Sequence, residues 1–288
     1  MSFDADAALR AARAAGWSWP GVIHGVEVTS STQDLARQAA AQGAPQGATF
    51  VAEEQTQGRG RQGRPWVAPR GSALLASVLL RPELEIAALP PLALVVGLAL
   101  HDALAPLAPG GALRIKWPND LLLDGRKVAG VLIESSLRGA RVDGVVVGFG
   151  VNLRQGSLPP EIPATSLQRA RPGLEPLRRE DVLAAVLVRM EQRIAAYLRG
   201  GLATLLEPLR AADGTAGRQV AWQGGVATVR AIGDDGQLVL ETATGPVAVA
   251  AGEVLFLPSS ASLSCATGSV ALRVWAGEGQ GRCSTVMR

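Results

Sequence analysis

The sequence predicts an α+β fold, a mixed β-sheet with segregated helices followed by a small all-β unit, and three observations carry that reading. Apolar runs of strand length crowd residues 48–53, 72–80 and 113–151, with helical patterns between and after them. The apolar stretch 89–107 is too short and too proline-interrupted to span a bilayer, so it reads as a buried helix. Past residue 213 the texture changes to short strands separated by Gly and Asp turns.

Taken in order, residues 4–15 read as a short helix and 22–28 as a strand. Ser30, Ser31 and Thr32 precede a helical run at 33–42 that Gly43 ends, which makes the hydroxyls a natural N-cap. A strand at 48–53 leads into the loop 55–70 and a further strand at 72–80. The buried helix 89–107 is entered through Pro90 and Pro91. Strands follow at 113–117, 120–123, 127–135 and 144–151, with Asp124-Gly125 as a tight hairpin turn. Amphipathic helices occupy 179–198 and 202–212. Short strands at 220–222, 225–232, 237–242 and 246–250 suggest a small barrel of the SH3 size class. The expected domains are therefore 1–214, 215–257 and a flexible tail, 258–288, in which 270–275 could add one strand.

Composition excludes several classes. The 288 residues are 48% hydrophobic and 18% charged, with a mean hydropathy of +0.20, which is globular and not disordered. A net charge of +3 is too weak for a nucleic-acid partner without a clustered patch. No secretory signal opens the chain, so a cytoplasmic protein with no membrane partner is expected. Cys265 and Cys283 have neither metal spacing nor a disulfide framework around them.

Residue usage says more than charge. Only two of the 28 basic residues are lysines, Lys116 and Lys127, and the only asparagines are Asn119 and Asn152. Where arginine has nearly displaced lysine, a retained lysine suggests a task for a compact point charge that a planar fork does not do. All four fall between residues 116 and 152.

Two segments look chemical. Residues 58–66 (GRGRQGRPW) formally contain G-x-G-x-x-G, but Pro65, Pro69 and a strand follow where a dinucleotide fold needs a helix. What remains is bare backbone carrying Arg59, Arg61 and Arg64 beside Trp66, with no acidic residue from Gln55 to Leu80. A solvated basic loop, an RGG-like nucleic-acid segment and an anion-binding lid all fit that description. The second segment joins Lys116-Trp117-Pro118-Asn119-Asp120 to Lys127, at the mouth of a buried strand, where an ammonium can meet a phosphate or oxyanion. Asp120 could hold an arginine, ligate Mg²⁺ or accept a proton. At 148–153 (GFGVNL) small residues would let a flat ring approach, and Asn152 offers a donor and an acceptor.

Together these segments resemble the biotin–protein ligase family: 31–33 (STQ), 54–66 (EQTQGRGRQGRPW), 116–120 (KWPND), 125–130 (GRKVAG), 148–153 and the late 252–254 (GEV), in the family's order and spacing from about residue 25 to 257. The resemblance implies a mixed sheet with helices on one side, as in class II synthetases, followed by an SH3-like barrel. With about 25 residues ahead of the first motif, it implies the ligase-only type without a winged helix. The implied activity is that of a biotin–[acetyl-CoA-carboxylase] ligase using ATP and Mg²⁺, with a biotin carboxyl carrier protein as partner. The resemblance also allows a homodimer. Implied biotin contacts are Ser31, Thr32, Gln33, Gln55, Gly58, Arg59, Gly60, Arg61, Lys127 and Gly130. Implied ATP contacts are Arg61, Arg64, Trp66, Lys116, Asn119, Lys127 and Asn152. Lys127, Asp120, Arg59 and Arg61 are the implied catalytic groups, and no protein metal ligand is assigned. A lipoate-type acyl-protein ligase and a non-enzymatic nucleic-acid-binding module are the rival expectations.

Overall fold

A computed structural model describes residues 2–139, 141–154, 163–172, 177–223 and 225–257. The predicted tail, with 270–275 and both cysteines, lies outside the described residues. The first large element is a seven-stranded sheet built from β1 (Ile23–Thr29), β2 (Thr49–Gln55), β3 (Ala73–Leu80), β4 (Leu113–Lys116), β5 (Asp120–Leu123), β6 (Arg126–Arg138) and β7 (Arg141–Asn152). Its order is β1-β2-β3-β7-β6-β5-β4, with β1 and β2 parallel and the other neighbours antiparallel. Asp124 (φ 51°) and Gly125 (φ 78°) both take the left-handed conformation between β5 and β6, as a two-residue hairpin turn requires.

Six helices complete this unit: α1 (Ala5–Ala14), α2 (Thr32–Ala41), α3 (Leu92–Leu104), the single turn α4 (Leu167–Ala170), α5 (Arg179–Gly200) and α6 (Leu206–Ala212). Asp4 caps α1 through the Ala7 N–H, and Ser31 caps α2. The expected single helix over 89–107 is shorter. Prolines at 91 and 106 leave 3-10 turns at Ile86–Ala88 and Ala105–Leu107 on either side of α3. Pro208 similarly accompanies a 3-10 start, Leu202–Leu205, ahead of α6. The stretch Ile86–Leu107 is long and apolar enough to cross a membrane by composition, but ten of the thirteen residues of α3 are buried in the protein core.

The expectation of helices on one side holds only in part. Leu74, Ala76, Val78 and Leu80 of β3, with Val145, Val147, Phe149 and Val151 of β7, share the main core with α1, α3 and α5. The alternate face belongs to α2, where Ala36 packs with Ala48, Leu79 and Val146. A crossover between parallel β1 and β2 must cover one face of the sheet, and it takes the face opposite α3. That choice positions the site described below.

The second sheet has five strands in the order β11-β10-β9-β8-β12: β8 (Gln219–Trp222), β9 (Gly225–Ile232), β10 (Leu238–Thr242), β11 (Gly245–Val249) and β12 (Leu255–Phe256). Its apolar residues, among them Val220, Val229, Ile232, Leu240 and Val254, join the main core. Trp117 Nε1 donates to Gly236 O at 3.0 Å and Arg210 to Ile232 O at 3.0–3.1 Å, which fastens the two sheets together.

Candidate active site

The site grows from a gap in side chains. On the α2 face of the sheet, Ser77, Gly148 and Leu132 are cross-strand neighbours, and one step along stand Leu75, Gly150, Gly130 and Asp120. Three glycines in two adjacent rows remove the side chains that would otherwise fill that face. A cavity of about 700 Å³ opens above them. It runs across the sheet from β2 to β4, roughly 24 Å at the usual strand spacing.

At the β2 end the lining is neutral. Gln55 Oε1 accepts from the Thr32 N–H (2.8 Å), the Thr32 hydroxyl (3.1 Å) and the Ser31 hydroxyl (3.3 Å), and Thr32 Oγ1 also meets Ser77 Oγ at 2.8 Å. Gln33 lies under Gly148, where any Cβ would stand 2.9 Å from its amide carbon, and Gln33 Nε2 donates to Leu132 O. The helix cap and the pocket wall are thus the same residues.

The arginine loop forms a tight hairpin. Gly60 N–H donates to Arg64 O (2.7 Å), Trp66 N–H donates to Gly58 O (2.9 Å), and Gln62 and Gly63 turn the chain at positive φ. A Cβ on Gly58 would stand 2.4 Å from Trp66 O, so this glycine allows the hairpin to close and does not line the cavity. The Trp66 indole lies on the bare backbone of Gly130 and Gly150, with Lys127 Nζ 5.3 Å from the ring centre. The approach of a flat ring to Gly148–Gly150, read from the sequence, is realised here by the protein's own tryptophan.

Three arginines of the loop go to three places. Arg59 donates to Asp34 Oδ1 (2.8 Å) and lies 3.8 Å from Glu134, so Asp34 is held below the ordinary carboxylate range by that bond. Arg64 pairs with Glu253 at 2.8 Å. Arg61 donates only to neutral acceptors, Asn119 Oδ1 and Gly252 O, each at 3.1 Å, and burial lowers its pKa. Of the loop's arginines, Arg59 and Arg64 therefore each sit against a carboxylate, and Arg61 rests on neutral oxygens.

The β4 end is cationic. Lys127 is pinned by backbone hydrogen bonds to Pro163 O and from the Thr165 N–H, and its ammonium bonds Asp120 Oδ1 at 2.7 Å. Lys116 is mostly buried, which lowers its pKa, and its ammonium lies 5.1 Å from the Phe256 ring centre. Asn119 donates to Val131 O (2.7 Å), joining its loop to β6. Asn152 is buried and its Nδ2 donates to Thr165 O (3.1 Å), which uses one of its two amide hydrogens on backbone.

Fifteen of the sixteen residues expected from the sequence as binding or catalytic groups line this one cavity: all except Gly58, which closes the hairpin, while Arg59 lines it with its guanidinium paired to Asp34. Sequence reading missed Ser77, Arg218 and Phe256, which also line it. Ser77 sits inside an apolar strand with no motif, and Arg218 is one arginine among 26.

Sheet, cavity and motifs together place the molecule in the class of biotin and lipoate protein ligases, and a sequence profile of the biotin/lipoate A/B protein ligase family matches residues 25–152. The chain is 38% identical to a biotin–[acetyl-CoA-carboxylase] ligase of Paracoccus denitrificans, over 73% of this chain and 90% of that protein. It is 34% identical to the ligase of the same name from Mycobacterium tuberculosis, over 84% and 90%. The biotin protein ligase of Aquifex aeolicus, solved in complex with biotin and ATP, superposes with a TM-score of 0.71 at 28% identity, over 82% of this chain and 99% of that one. The chain belongs to the biotin–protein ligase family.

Proposed function

We propose that this protein is an ATP-dependent biotin–protein ligase that forms biotinyl-5′-AMP and transfers biotin to a lysine of a biotin carboxyl carrier protein. One observation carries the reading: a single cavity has a neutral hydrogen-bonding end and a cationic end whose Lys116 and Arg61 have no carboxylate partner among the described residues. A neutral polar pocket suits a ureido head group, and half-buried cations with no carboxylate in contact suit an anion such as a nucleotide phosphate.

On this reading Ser31, Thr32, Gln33 and Gln55 hold the biotin head group, with Gly58, Gly60 and Gly130 giving the backbone room. Arg61, Arg64, Lys116 and Asn119 face the phosphates, and Trp66 and Asn152 flank adenine. The biotin carboxylate attacks the α-phosphorus of ATP, the bond to the bridging oxygen breaks, and pyrophosphate leaves with that electron pair. Lys127, on the cavity wall, offsets charge on the α-phosphate and on the anhydride carbonyl. In the second step the acceptor amine attacks that carbonyl and AMP leaves. The amine arrives mostly protonated near neutral pH, and Asp120 accepts its proton on giving up Lys127. The loop 58–66 acts as the lid that keeps water from the anhydride, with Arg59 as a hinge-side catalytic support.

Among the described residues no three His, Cys, Asp or Glu side chains cluster as a metal cage. The cavity's carboxylates Asp120 and Glu253 are bonded to Lys127 and Arg64. Asp120 is the cavity carboxylate that would hold Mg²⁺ arriving with ATP, and the ion would supply charge neutralisation at the phosphates. We read residues 1–214 as the catalytic domain and 215–257 as an SH3-like barrel, a reading supported by the five short strands of the second sheet.

The test is incubation with ATP, Mg²⁺, biotin and a carrier domain, reading acceptor mass. One biotinyl group per acceptor is expected. Transfer of lipoate in preference to biotin would move the assignment to the lipoate-type ligases, and salt-sensitive nucleic-acid binding without ATP turnover would overturn it.

A further inference from the structure

The C-terminal sheet puts a cation into the cavity that none of the sequence motifs contains. Arg218, at the start of β8, lines the rim, and its guanidinium carbon lies 4.5 Å from the centre of the Phe256 ring. The same ring is in contact with the Lys116 ammonium at 5.1 Å, so one aromatic shelf gathers two cations within about 10 Å of each other. No carboxylate lies within ion-pair distance of Arg218 among the described residues, whereas Arg59 and Arg64 of the same cavity each have one. Its backbone is fixed at both ends, with the N–H donating to Thr215 O (3.0 Å) and the carbonyl accepting from the Val229 N–H (2.9 Å). A guanidinium held by stacking keeps its edge donors available, and a planar fork matches two phosphate oxygens.

We propose that Arg218 binds the terminal phosphates of ATP and the pyrophosphate that departs from it, acting from the second sheet as Lys116 acts from the first. The proposal rests on the ligase reading above. It follows from position: Lys127 lines the cavity on β6, two strands in from β4, and on the ligase reading the α-phosphate meets the carboxylate beside it. The rest of the triphosphate then extends toward β4 and the rim, where Lys116 and Arg218 face it. When the bond between the α-phosphorus and the bridging oxygen breaks, the electron pair goes to pyrophosphate, and Arg218 offsets that added charge. Acyl transfer involves no pyrophosphate and makes no demand on Arg218.

That separation gives the experiment. Arg218→Ala and Arg218→Lys are compared with the unsubstituted full chain in ATP–pyrophosphate exchange, and in biotin transfer to a carrier domain from supplied biotinyl-5′-AMP. Arg218→Ala is expected to raise KM for both ATP and pyrophosphate by about 10-fold or more, the effect of losing a charge-assisted contact. Arg218→Lys, which keeps the charge and loses the fork, should recover only part of the loss, and transfer from supplied adenylate should stay within about twofold in both variants. Exchange unchanged in Arg218→Ala overturns the proposal. So does an equal loss in both half-reactions, which would mark Arg218 as a prop for the second sheet. An unsubstituted protein that transfers from supplied adenylate but exchanges no pyrophosphate overturns this role while leaving acyl transfer standing; one that does neither overturns the ligase reading.

Discussion

Gly150→Ala tests whether the glycine rows exist to seat Trp66. A Cβ at Gly150 would stand 2.4 Å from both Cε2 and Cζ2 of the indole and 2.9 Å from its Nε1. Ordinary carbon contacts lie near 3.5–4.0 Å, so the ring must retreat by about 1 Å or more. The backbone does not object: Gly150 is not among the positive-φ glycines, and its partners Leu75 and Gly130 keep their ladder. Overpacking of this kind costs about 1–3 kcal/mol. The cost is met either as strain with Trp66 in place or as loss of the hairpin's contacts through Arg61 and Arg64. In both cases the cavity over Gly130 changes shape. Urea unfolding should show a loss in that range, and calorimetric titration should show ATP and biotin binding weakened about 10- to 100-fold. The decisive measurement is the cycle with Trp66→Ala. With the indole gone, the three atoms nearest the added methyl group are gone, so Gly150→Ala should become nearly neutral for stability. Additivity of the two substitutions within about 0.5 kcal/mol would refute the reasoning, because contacting residues must couple.

Three further outcomes follow from the same geometry. Lys127→Ala should lower ATP–pyrophosphate exchange by about 10²–10³ while costing at most about 1 kcal/mol of stability, since its bond to Asp120 is partly solvent-exposed; exchange near the parent rate would remove Lys127 from the chemistry. Burial holds Lys116 below the ordinary lysine value of 10.5, so ATP affinity should fall on the alkaline side before that pH, and Lys116→Arg should flatten the limb because guanidinium keeps its charge; identical profiles between pH 7 and about 10 would count against it. Glu53 is buried, which pushes its pKa up, but the Arg179 guanidinium at 2.6–2.8 Å and the Phe3 N–H outweigh burial and leave it below 4.5. A depressed carboxylate stabilises the fold above its unfolded value and loses that contribution as pH falls through its folded one. Glu53→Gln should therefore cost about 3–5 kcal/mol at pH 7 and progressively less toward pH 3 in urea unfolding, and a constant difference across that range would exclude the pair as the cause.

The sequence made the sheet legible because its strands are either continuously apolar or closed by strong turns. Residues 120–123 and the Asp124-Gly125 turn are found where they were expected, since two left-handed residues leave the chain little choice. Helix ends were less legible around residues 91, 106 and 208, where proline spacing decides between 3-10 and α geometry. The face taken by α2 was not readable either. Apart from Leu35 its apolar residues are small alanines, and sequence periodicity does not say which side of a sheet a crossover covers. The site was legible where rarity concentrated it, in two lysines and two asparagines. It was illegible where function rests on a common residue type, as with Arg218, or on a long-range pairing, as with Asp34 and Arg59.

That last pairing changes how the glycine–arginine motif works. Its three arginines are chemically alike, yet their neighbours make them unequal. Arg59 and Arg64 already have carboxylates at 2.8 Å, and each would have to break an ion pair before binding an anion in the cavity. Arg61 rests on the Asn119 amide oxygen and the Gly252 carbonyl, and neither carries charge to offset the buried guanidinium. An incoming phosphate or carboxylate therefore gains the most from Arg61, which is desolvated with no carboxylate in contact, Asp120 and Glu253 acting on it only from a distance. Arg59 fastens the hairpin to α2 and β6, whereas Arg64 fastens it to the segment before β12. The fasteners hold the charge-bearing residue over the cavity, so their removal should loosen the loop's position more than it alters the anion's electrostatic environment. Substituting Arg61 should do the reverse.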